Sequence, residues 1–559
     1  MNPHTRHCAA PYTELNSMVK PVTSTRLVML FSLCLVVFYN LATWRALVDL
    51  AQLHGVKAIA FYASFAFLLW AAITLLLTPF SFRPTLKPVL SLVALCSAAA
   101  AYFMNTYGIS IDTTMMQNVL ETNPGEAEAL LSGTLLFYLG LLGVLPIALI
   151  WWLPVTYRRV LPGLVNKVLV CVGCVLVIAA AVGPFYSTYA PIFRDEDKLT
   201  HFINPTNYLY AIGRLTKQTV AIKETLNIQT VGADAALSPQ AQQRPKKSLM
   251  IFVVGETARA DHFSLNGYGR ETNPELKQQD ILNFTHVASC GTSTAVSVPC
   301  LFSKFPRTDY SDKKGKTYEG LLDMLQRAGL KVLWLDNNSD CKGTCLRVPH
   351  SDIPKNQPSP FCDGQNCLDE SLLVGLQDYI DSLQDNAIIV LHSDGSHGPE
   401  YYDRYPKSLE RFTPVCHTNQ LGSCTSDELK NVYDNTILYT DHFLSQTIEL
   451  LKRNQDKVDA SMIYVSDHGE SLGENGIYLH AAPYAIAPSA QTHVPMVMWF
   501  GHSTLEDASV DRSCLAAKQD QPDLSHDYLF HSVLGLLGVT TTEYQPALDL
   551  FHSCKRDKG

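Results

Sequence analysis

Three clusters of chemically active residues follow apolar, β-branched stretches in the second half of the chain. Leu249–Val254 runs into Gly255-Glu256-Thr257, and Met462–Ser466 runs into Asp467-His468-Gly469-Glu470. Ala387–His392 runs into Ser393-Asp-Gly-Ser-His397, and His480 and His493 come later. Carboxylates and imidazoles set after several strands of one sheet suit a borderline metal such as zinc. Glu256, Asp467 and His468 supply three protein ligands, and a hydroxyl oxygen can complete a tetrahedron. The stretch Cys290-Gly-Thr-Ser-Thr-Ala-Val-Ser-Val-Pro-Cys300 offers that oxygen on Thr294. A disulfide between Cys290 and Cys300 would close this loop and hold the hydroxyl in place. A threonine is a poor nucleophile until its pKa falls, which a bound zinc achieves, and it can then attack a phosphodiester. If Thr294 also begins a helix, the helix dipole favours the alkoxide and a bound phosphate. Each feature alone has a plainer account: a staple beside a polar turn, a solvated Glu, a hydrogen-bonded Asp-His turn, surface histidines. The coincidence of three strand-end clusters is what points to a site.

The elements that must position these groups alternate between short strands and helical patterns from Lys247 onward. That alternation predicts a soluble α/β domain, a mainly parallel sheet between helices. Strands are expected at Leu249–Val254, Lys331–Leu335, Ala387–His392, Met462–Ser466 and Pro495–Trp499. Helices are expected at Tyr318–Ala328, Leu368–Leu383, Ser426–Arg453 and His526–Leu537. In such sheets ligands gather beyond the carboxyl ends of the strands.

The first 190 residues are of another kind. Five apolar segments are long enough to span a bilayer, which takes roughly 20 residues each. They are Leu27–Trp44, Ala58–Phe80, Pro88–Tyr107, Leu130–Val155 and Val168–Tyr186. Arg6, Lys20 and Arg26 precede the first; Arg83 and Lys87, then Arg158, Arg159 and Lys167, lie in the second and fourth connections. The third connection has no Lys or Arg but carries Asp112, Glu121, Glu126 and Glu128. The positive-inside rule therefore makes the tail and the even connections cytoplasmic and puts everything after residue 187 outside. Cysteine usage agrees independently. Cys8, Cys34, Cys96, Cys171 and Cys174 lie in the apolar part or its tail, while ten more follow residue 280 at close spacing, as disulfides in an oxidising compartment do. Cys171-Val-Gly-Cys174 sits inside an apolar helix and reads as membrane packing. Residues 1–190 form a transmembrane domain, 191–247 bridging helices and a linker, and 248–559 the catalytic domain. The bridge includes an amphipathic helix, Tyr208–Thr225, which could lie in the membrane interface or pack on the soluble domain. The outward-facing connection around Asn118, Glu121 and Thr122 reads either as a solvated loop or as a lipid headgroup contact. The net charge of −9 without a basic patch excludes nucleic acid as a partner.

Taken together, these residues resemble the lipid A phosphoethanolamine transferases, including the mobile colistin-resistance enzymes, whose soluble domain belongs to the alkaline phosphatase and sulfatase-like superfamily. The resemblance rests on Gln-Asn-Val-Leu-Glu-Thr-Asn at 117–123, Val-Val-Gly-Glu-Thr-Ala-Arg-Ala-Asp at 253–261 and the Cys290–Cys300 loop. It extends to Asp-Asn-Asn-Ser-Asp at 336–340, Gly-Ser-His-Gly-Pro at 395–399 and Ser-Asp-His-Gly-Glu-Ser-Leu-Gly-Glu-Asn at 466–475. It implies that Thr294 is the nucleophile and binds one tight zinc with Glu256, Asp467 and His468. His397 and His480 resemble the family's histidines for a second zinc or the substrate phosphate, and Lys342 its phosphate-contacting lysine. Asn118 and Thr122, with Glu121 beside them, match its membrane-side lipid contacts; His493 matches no functional position. The implied disulfides are Cys290–Cys300, Cys362–Cys367 and Cys416–Cys424, with Cys341–Cys345 less fixed and Cys514–Cys554 open.

The implied reaction is ping-pong. Phosphatidylethanolamine gives phosphoethanolamine to Thr294, and a lipid A phosphate then takes it, at the periplasmic face of a bacterial inner membrane. The added amine offsets surface charge and confers resistance to cationic peptides such as polymyxin and colistin. The implied partners are these two lipids and the surrounding membrane lipid, with the chain acting as a monomer. The rivals are a related phosphotransferase with another acceptor, such as a core sugar or a glycerol-phosphate polymer, and a non-catalytic membrane scaffold.

Overall fold

The computed structural model describes residues 20–51, 53–122, 124–195, 197–223, 228–355 and 359–556. Arg6 and Cys8 of the N-terminal tail, Asn123, and residues 224–225 at the end of the expected amphipathic helix lie outside them. The chain forms two compact units: Met1–Asn105 with Ser132–Tyr210, and Thr106–Leu131 with Ala211–Gly559.

Gly55–Phe80, Leu86–Tyr107, Gly133–Trp152 and Val160–Tyr189 are helices long and apolar enough to cross a membrane, and all but the last two residues of the second of them, Thr106 and Tyr107, lie in the first unit. Within the first of these, Phe61, Phe65, Leu69, Ile73 and Leu77 are buried, four residues apart on one face, whereas Ile59 and Phe67 are exposed. Exposed apolar side chains on the other faces are what a bundle in lipid presents. The expected span Leu27–Trp44 is not one straight helix. Ser24–Tyr39 and Leu41–Ala51 meet at 65°, and the pair makes a fifth span if counted together. The cause lies at buried Asn40. Its side chain donates to Leu35 O at 2.9 Å and to Asn204 O at 3.0 Å, and Asn204 N donates back to its Oδ1 at 2.8 Å. The first bond satisfies a carbonyl at the end of the broken helix, and the other two tie the break to Asn204.

The second unit is built on an eight-stranded sheet. Its strands are β1 (Lys247–Gly255), β2 (Ile281–Ala288), β3 (Lys331–Asp336), β4 (His350–Asp352), β5 (Ala387–His392), β6 (Val458–Ser466), β7 (His493–Phe500) and β8 (Leu524–Ser525). Their spatial order is β8-β2-β7-β6-β1-β5-β3-β4. Every neighbouring pair is parallel except β7 with β2 and with β6. Central β1 and β6 pair along nine residues, from Lys247 with Val458 to Gly255 with Ser466, so their carboxyl ends finish level. Both read as continuous apolar runs because helices cover both faces of a parallel sheet. The expected helix Leu368–Leu383 is broken instead. A 3-10 turn, Asp369–Leu373, and a helix, Leu376–Ser382, flank Gly375, which sits at φ 74 and so cannot continue a helix. Likewise His526–Leu537 begins with a 3-10 turn, His526–Tyr528, before the helix Leu529–Leu537.

Three helices concern the site. Helix α1 (Thr113–Glu121) comes from the third connection, with Asp112 accepting from Met115 N at 2.8 Å as its N-cap. Helix α2 (Thr294–Leu301) starts at Thr294, and α1 packs against it. Helix α3 (Ser426–Lys452) opens with a capping box between Thr425 and Glu428. Disulfides join Cys290–Cys300, Cys341–Cys345, Cys362–Cys367, Cys416–Cys424 and Cys514–Cys554, while Cys34, Cys96, Cys171 and Cys174 are free.

Candidate active site

Because β1 and β6 end level, Glu256 and Asp467 emerge side by side, with Asp467 N donating to Gly255 O at 2.8 Å. His468 follows, and the ligand atoms of Glu256, Asp467 and His468 lie within 4.8 Å of one another. All three side chains are buried. His468 Nδ1 faces Gly469 O at 2.9 Å, which places its proton there and turns a bare Nε2 inward. That nitrogen stands 3.4 Å from Glu256 Oε1 and 3.3 Å from Asp467 Oδ2. Thr294 Oγ1 donates to Glu256 Oε2 at 3.1 Å and lies 3.4 Å from His468 Nε2.

The hydrogen-bond pattern divides each carboxylate. Asp467 Oδ1 accepts from Thr257 N and His468 N, and Glu256 Oε2 accepts from Thr294 and from Asn338 Nδ2. Among the described residues, Asp467 Oδ2 and Glu256 Oε1 are buried and have no hydrogen-bond donor. Burial, then the neighbouring Asp467, pushes the Glu256 carboxyl well above its usual range, and burial lifts Asp467 to about 6. Burial, then the neighbouring His480, drives His468 well below the usual range for an imidazole. Two carboxylates confined without a cation in between are costly, and a bound cation relieves them.

Supports behind the site hold Thr294 still. Cys290–Cys300 ties the far end of α2 to the loop before it. Ser297 donates to Asp467 O, which links α2 to the end of β6. His526 joins the same parts, accepting from Cys290 N at 3.2 Å and facing Ser466 O at 3.0 Å through its other nitrogen. Burial holds His526 near 4, so it stays neutral and can serve both bonds.

A second layer stands beside this centre. The His480 ring lies 4.6 Å from that of His468 and 5.3 Å from that of His397. His480 Nδ1 pairs with buried Glu470 at 2.9 Å, and Tyr401 fixes the other Glu470 oxygen at 2.8 Å. Burial pulls the His480 pKa down, but Glu470 outweighs it and the net direction is up. Lys342 donates to Ser339 O and Oγ at 2.8 and 2.9 Å, in the turn closed by Cys341–Cys345. Arg404 pairs with Asp394 and donates to His397 O. Among the described residues, five of the eight non-glycine positions with positive φ flank this site: Thr257, Asp340, Lys342, Leu479 and Ala481. Strain of that kind persists where surrounding contacts over-determine the backbone.

The third connection belongs to this unit and is fastened to it. Glu121 pairs with Lys316 at 3.6 Å, and Thr122 Oγ1 donates to Asn118 O at 2.7 Å. Gly108, at φ 67, abuts the Gly476 carbonyl and leaves no room for a Cβ. Asn419, on the loop closed by Cys416–Cys424, donates to Ala129 O at 2.8 Å and Leu131 O at 2.9 Å, and its own carbonyl accepts from Tyr107 at 3.1 Å. Glu126 thereby comes beside Ser339, Lys342 and Arg404. Burial raises its pKa, and the Ser339 hydroxyl, then Lys342, oppose the rise. The sequence reading chose Glu121 and passed over Glu126. No local spacing carries the signal, because α1 ends at Glu121, Thr122 is extended, and Glu126 lies on the separate short helix Pro124–Ala129. His493 lies elsewhere, with Nε2 2.7 Å from Thr285 O and its ring stacked on His286.

A mainly parallel α/β sheet bearing a carboxylate–imidazole–hydroxyl centre at its strand ends is the architecture of the sulfatase and alkaline phosphatase-like enzymes, and the family model described as Sulfatase matches residues 248–539. A second model, described as phosphoethanolamine transferase EptA/EptB, matches residues 69–220. Phosphoethanolamine transferase EptA of Salmonella typhimurium is 42% identical over 532 residues, 94% of this chain and 96% of the relative. Phosphatidylethanolamine transferase Mcr-1 of Escherichia coli is 39% identical, covering 86% of this chain and 89% of the relative. The solved structure of the integral membrane lipooligosaccharide phosphoethanolamine transferase A of Neisseria meningitidis superposes with a TM-score of 0.92 at 36% identity, covering 96% of this chain and all of that one. The chain belongs to the phosphoethanolamine transferases, bacterial inner-membrane enzymes with a periplasmic catalytic domain.

Proposed function

We propose that this chain transfers phosphoethanolamine from phosphatidylethanolamine to a phosphate of lipid A through a phosphoethanolamine-threonine intermediate at Thr294. The supporting observation is the pair of donorless buried oxygens, Glu256 Oε1 and Asp467 Oδ2, that face His468 Nε2 beside the Thr294 hydroxyl. Two carboxylate oxygens, an imidazole nitrogen and a hydroxyl are a donor set that fits zinc, so Glu256, Asp467, His468 and Thr294 would hold it. Bound there, zinc supplies the positive charge that makes a threonine hydroxyl acidic and stabilises charge developing on phosphate.

Thr294 Oγ1 attacks the donor phosphorus, and its proton passes to Glu256 Oε2, already its hydrogen-bond acceptor. The bond from phosphorus to the diacylglycerol oxygen breaks, and the leaving alkoxide takes a proton from His480, whose charged form Glu470 favours. An oxygen of the lipid A phosphate then attacks the phosphorus of the phosphoethanolamine-threonine. Thr294 leaves and recovers its proton. Lys342 and His397 line the side on which the donor phosphate sits; a second zinc held by His397 and His480 would be the alternative to proton donation by His480. Glu126 offers a carboxylate to the ethanolamine ammonium, while Asn118 and Thr122 of α1 and its end lie toward the lipid. The Neisseria relative's action on lipooligosaccharide supports an acceptor of this class. The product carries an added amine, which weakens attraction of cationic peptides such as polymyxin to the cell surface.

Intact-protein mass spectrometry of the full-length enzyme incubated with phosphatidylethanolamine tests the reading. The wild type gains one phosphoethanolamine and loses it on adding lipid A. Thr294→Ala gains none yet folds, and Thr294→Ser retains part of the signal. Transfer to lipid A by Thr294→Ala at the wild-type rate overturns the covalent route, and the absence of zinc from purified, active protein overturns the metal.

A further inference from the structure

The membrane unit holds a cavity far in sequence from the catalytic residues. It opens where Ser24–Tyr39 begins, in the turn after Gly55–Phe80, and where Val160–Tyr189 begins, and its volume is about 350 Å³. Ligand pockets run from roughly 300 to 1,000 Å³. These ends carry the positive charges that mark the cytoplasmic side. Among the described residues, Arg83, Arg158 and Lys167 line the cavity and no carboxylate does. Lys167 does not extend into solvent but sits with Nζ 3.0 Å from the centroid of the Phe82 ring. Thr25 Oγ1, nearly buried, accepts from Asn166 Nδ2 at 3.3 Å, which leaves its own proton to donate. At the rim the surface turns apolar: Phe82 is 45% exposed and Val160 86%.

Topology alone explains why cations lie on this side. It does not explain a cavity that gathers three of them with hydroxyl donors, has no acid among the described residues that line it, and borders on lipid-facing apolar groups. A free anion would use the cations but not that rim. We propose that this cavity binds the phosphodiester headgroup of an anionic phospholipid from the cytoplasmic leaflet. Arg83 and Arg158 take the phosphate oxygens, and Phe82 and Val160 flank the first carbons of the acyl chains. Basic pockets between spans on the cytoplasmic side recognise lipid headgroups by this physics. The proposal is independent of the transfer reaction.

The test uses purified full-length protein whose Cys290–Cys300 bond is intact, which certifies correct export. Native mass spectrometry measures retention of added phosphatidylglycerol, phosphatidylcholine or inorganic phosphate. The expected result is retained phosphatidylglycerol, little phosphatidylcholine and no phosphate at matched concentration. Arg83→Gln with Arg158→Gln should weaken phosphatidylglycerol about 30-fold, roughly fivefold per lost cation. Arg83→Lys with Arg158→Lys keeps the topology signal and should weaken it a few-fold by losing the bidentate geometry. Wild-type retention in the glutamine pair overturns the site; if that pair fails to insert, wild-type retention in the lysine pair does so. Phosphate binding with the same dependence on the arginines, in place of the lipid, overturns the lipid assignment.

Discussion

Replacing Asn419 with Ala should damage lipid transfer while sparing the catalytic centre. The side chain makes two hydrogen bonds to the end of the third connection, at 2.8 Å to Ala129 O and 2.9 Å to Leu131 O. A net hydrogen bond is worth about 0.5–1.5 kcal/mol, so removing both costs about 1–3 kcal/mol. One of the two is exposed, which places the value toward the lower end. The Tyr107 bond to the Asn419 carbonyl survives the substitution because it uses backbone. A cost of about 1–1.5 kcal/mol shifts the balance between a docked and an undocked connection roughly 5- to 13-fold. The assay compares two activities of one full-length preparation: lipid A modification in proteoliposomes followed by mass spectrometry, and turnover of a short soluble phosphoethanolamine ester. The apparent KM for lipid should rise by about that factor, with soluble turnover and zinc content unchanged. Asn419→Asp, which keeps the size but loses both donors, should behave like the alanine variant. A parallel loss of both activities, or lipid transfer within twofold of wild type, refutes the reasoning.

Other outcomes follow from other parts of the structure. Glu126→Gln should lower kcat/KM for phosphatidylethanolamine by about 10- to 100-fold, the range for a charged hydrogen bond, yet change little for a donor without the amine; steady-state kinetics on both donors decides. Breaking Cys290–Cys300, whose partners are 10 residues apart, should cost about 2.8 kcal/mol by loop entropy, read as a lower midpoint in thermal denaturation, and the chain should accumulate poorly in a host lacking periplasmic oxidation. His442, bonded to Glu370 and Glu275, has its pKa raised from 6.5 to about 9, first by the Glu370 bond. Its stabilisation, at most roughly 3 kcal/mol, is complete below pH 6.5 and lost as pH rises through 9, so His442→Gln should destabilise at pH 6 and be nearly silent at pH 10 in urea titrations.

The strand ends were legible because a buried parallel strand writes itself as an unbroken apolar run, and the residue after it is conspicuous for being charged. Strands β1 and β6 announced Glu256 and Asp467 in that way, and β5 pointed to His397 five residues beyond its end. Strand β2 went unread. Ile281-Leu-Asn-Phe-Thr-His-Val-Ala alternates polar and apolar side chains, because only one of its faces is fully buried, and it has no continuous run. The helix read across Leu368–Leu383 failed at Gly375, where a positive φ overrode otherwise good helical periodicity. His526 was invisible for another reason. Its two bonds reach Ser466 at the end of β6, 60 residues away, and Cys290, 236 residues away, and no local pattern encodes such a bridge. Glu126 was hidden by Pro124, which reads as the end of a helix although Pro124–Ala129 is helical again.

The catalytic unit is discontinuous in sequence: residues 106–131 belong to it, although apolar spans precede and follow them. This bears on recombination between relatives. A crossover near residue 211 exchanges most of the unit but leaves a foreign 106–131 segment, so Glu126 would meet an unfamiliar lysine turn and Gly108 an unfamiliar carbonyl. Hybrids made at that one junction should lose lipid transfer even when both parents are active. Hybrids that carry 106–131 along with its own catalytic partner should recover it. Gene exchange therefore meets fewer obstacles when the whole reading frame moves at once than when it moves in halves.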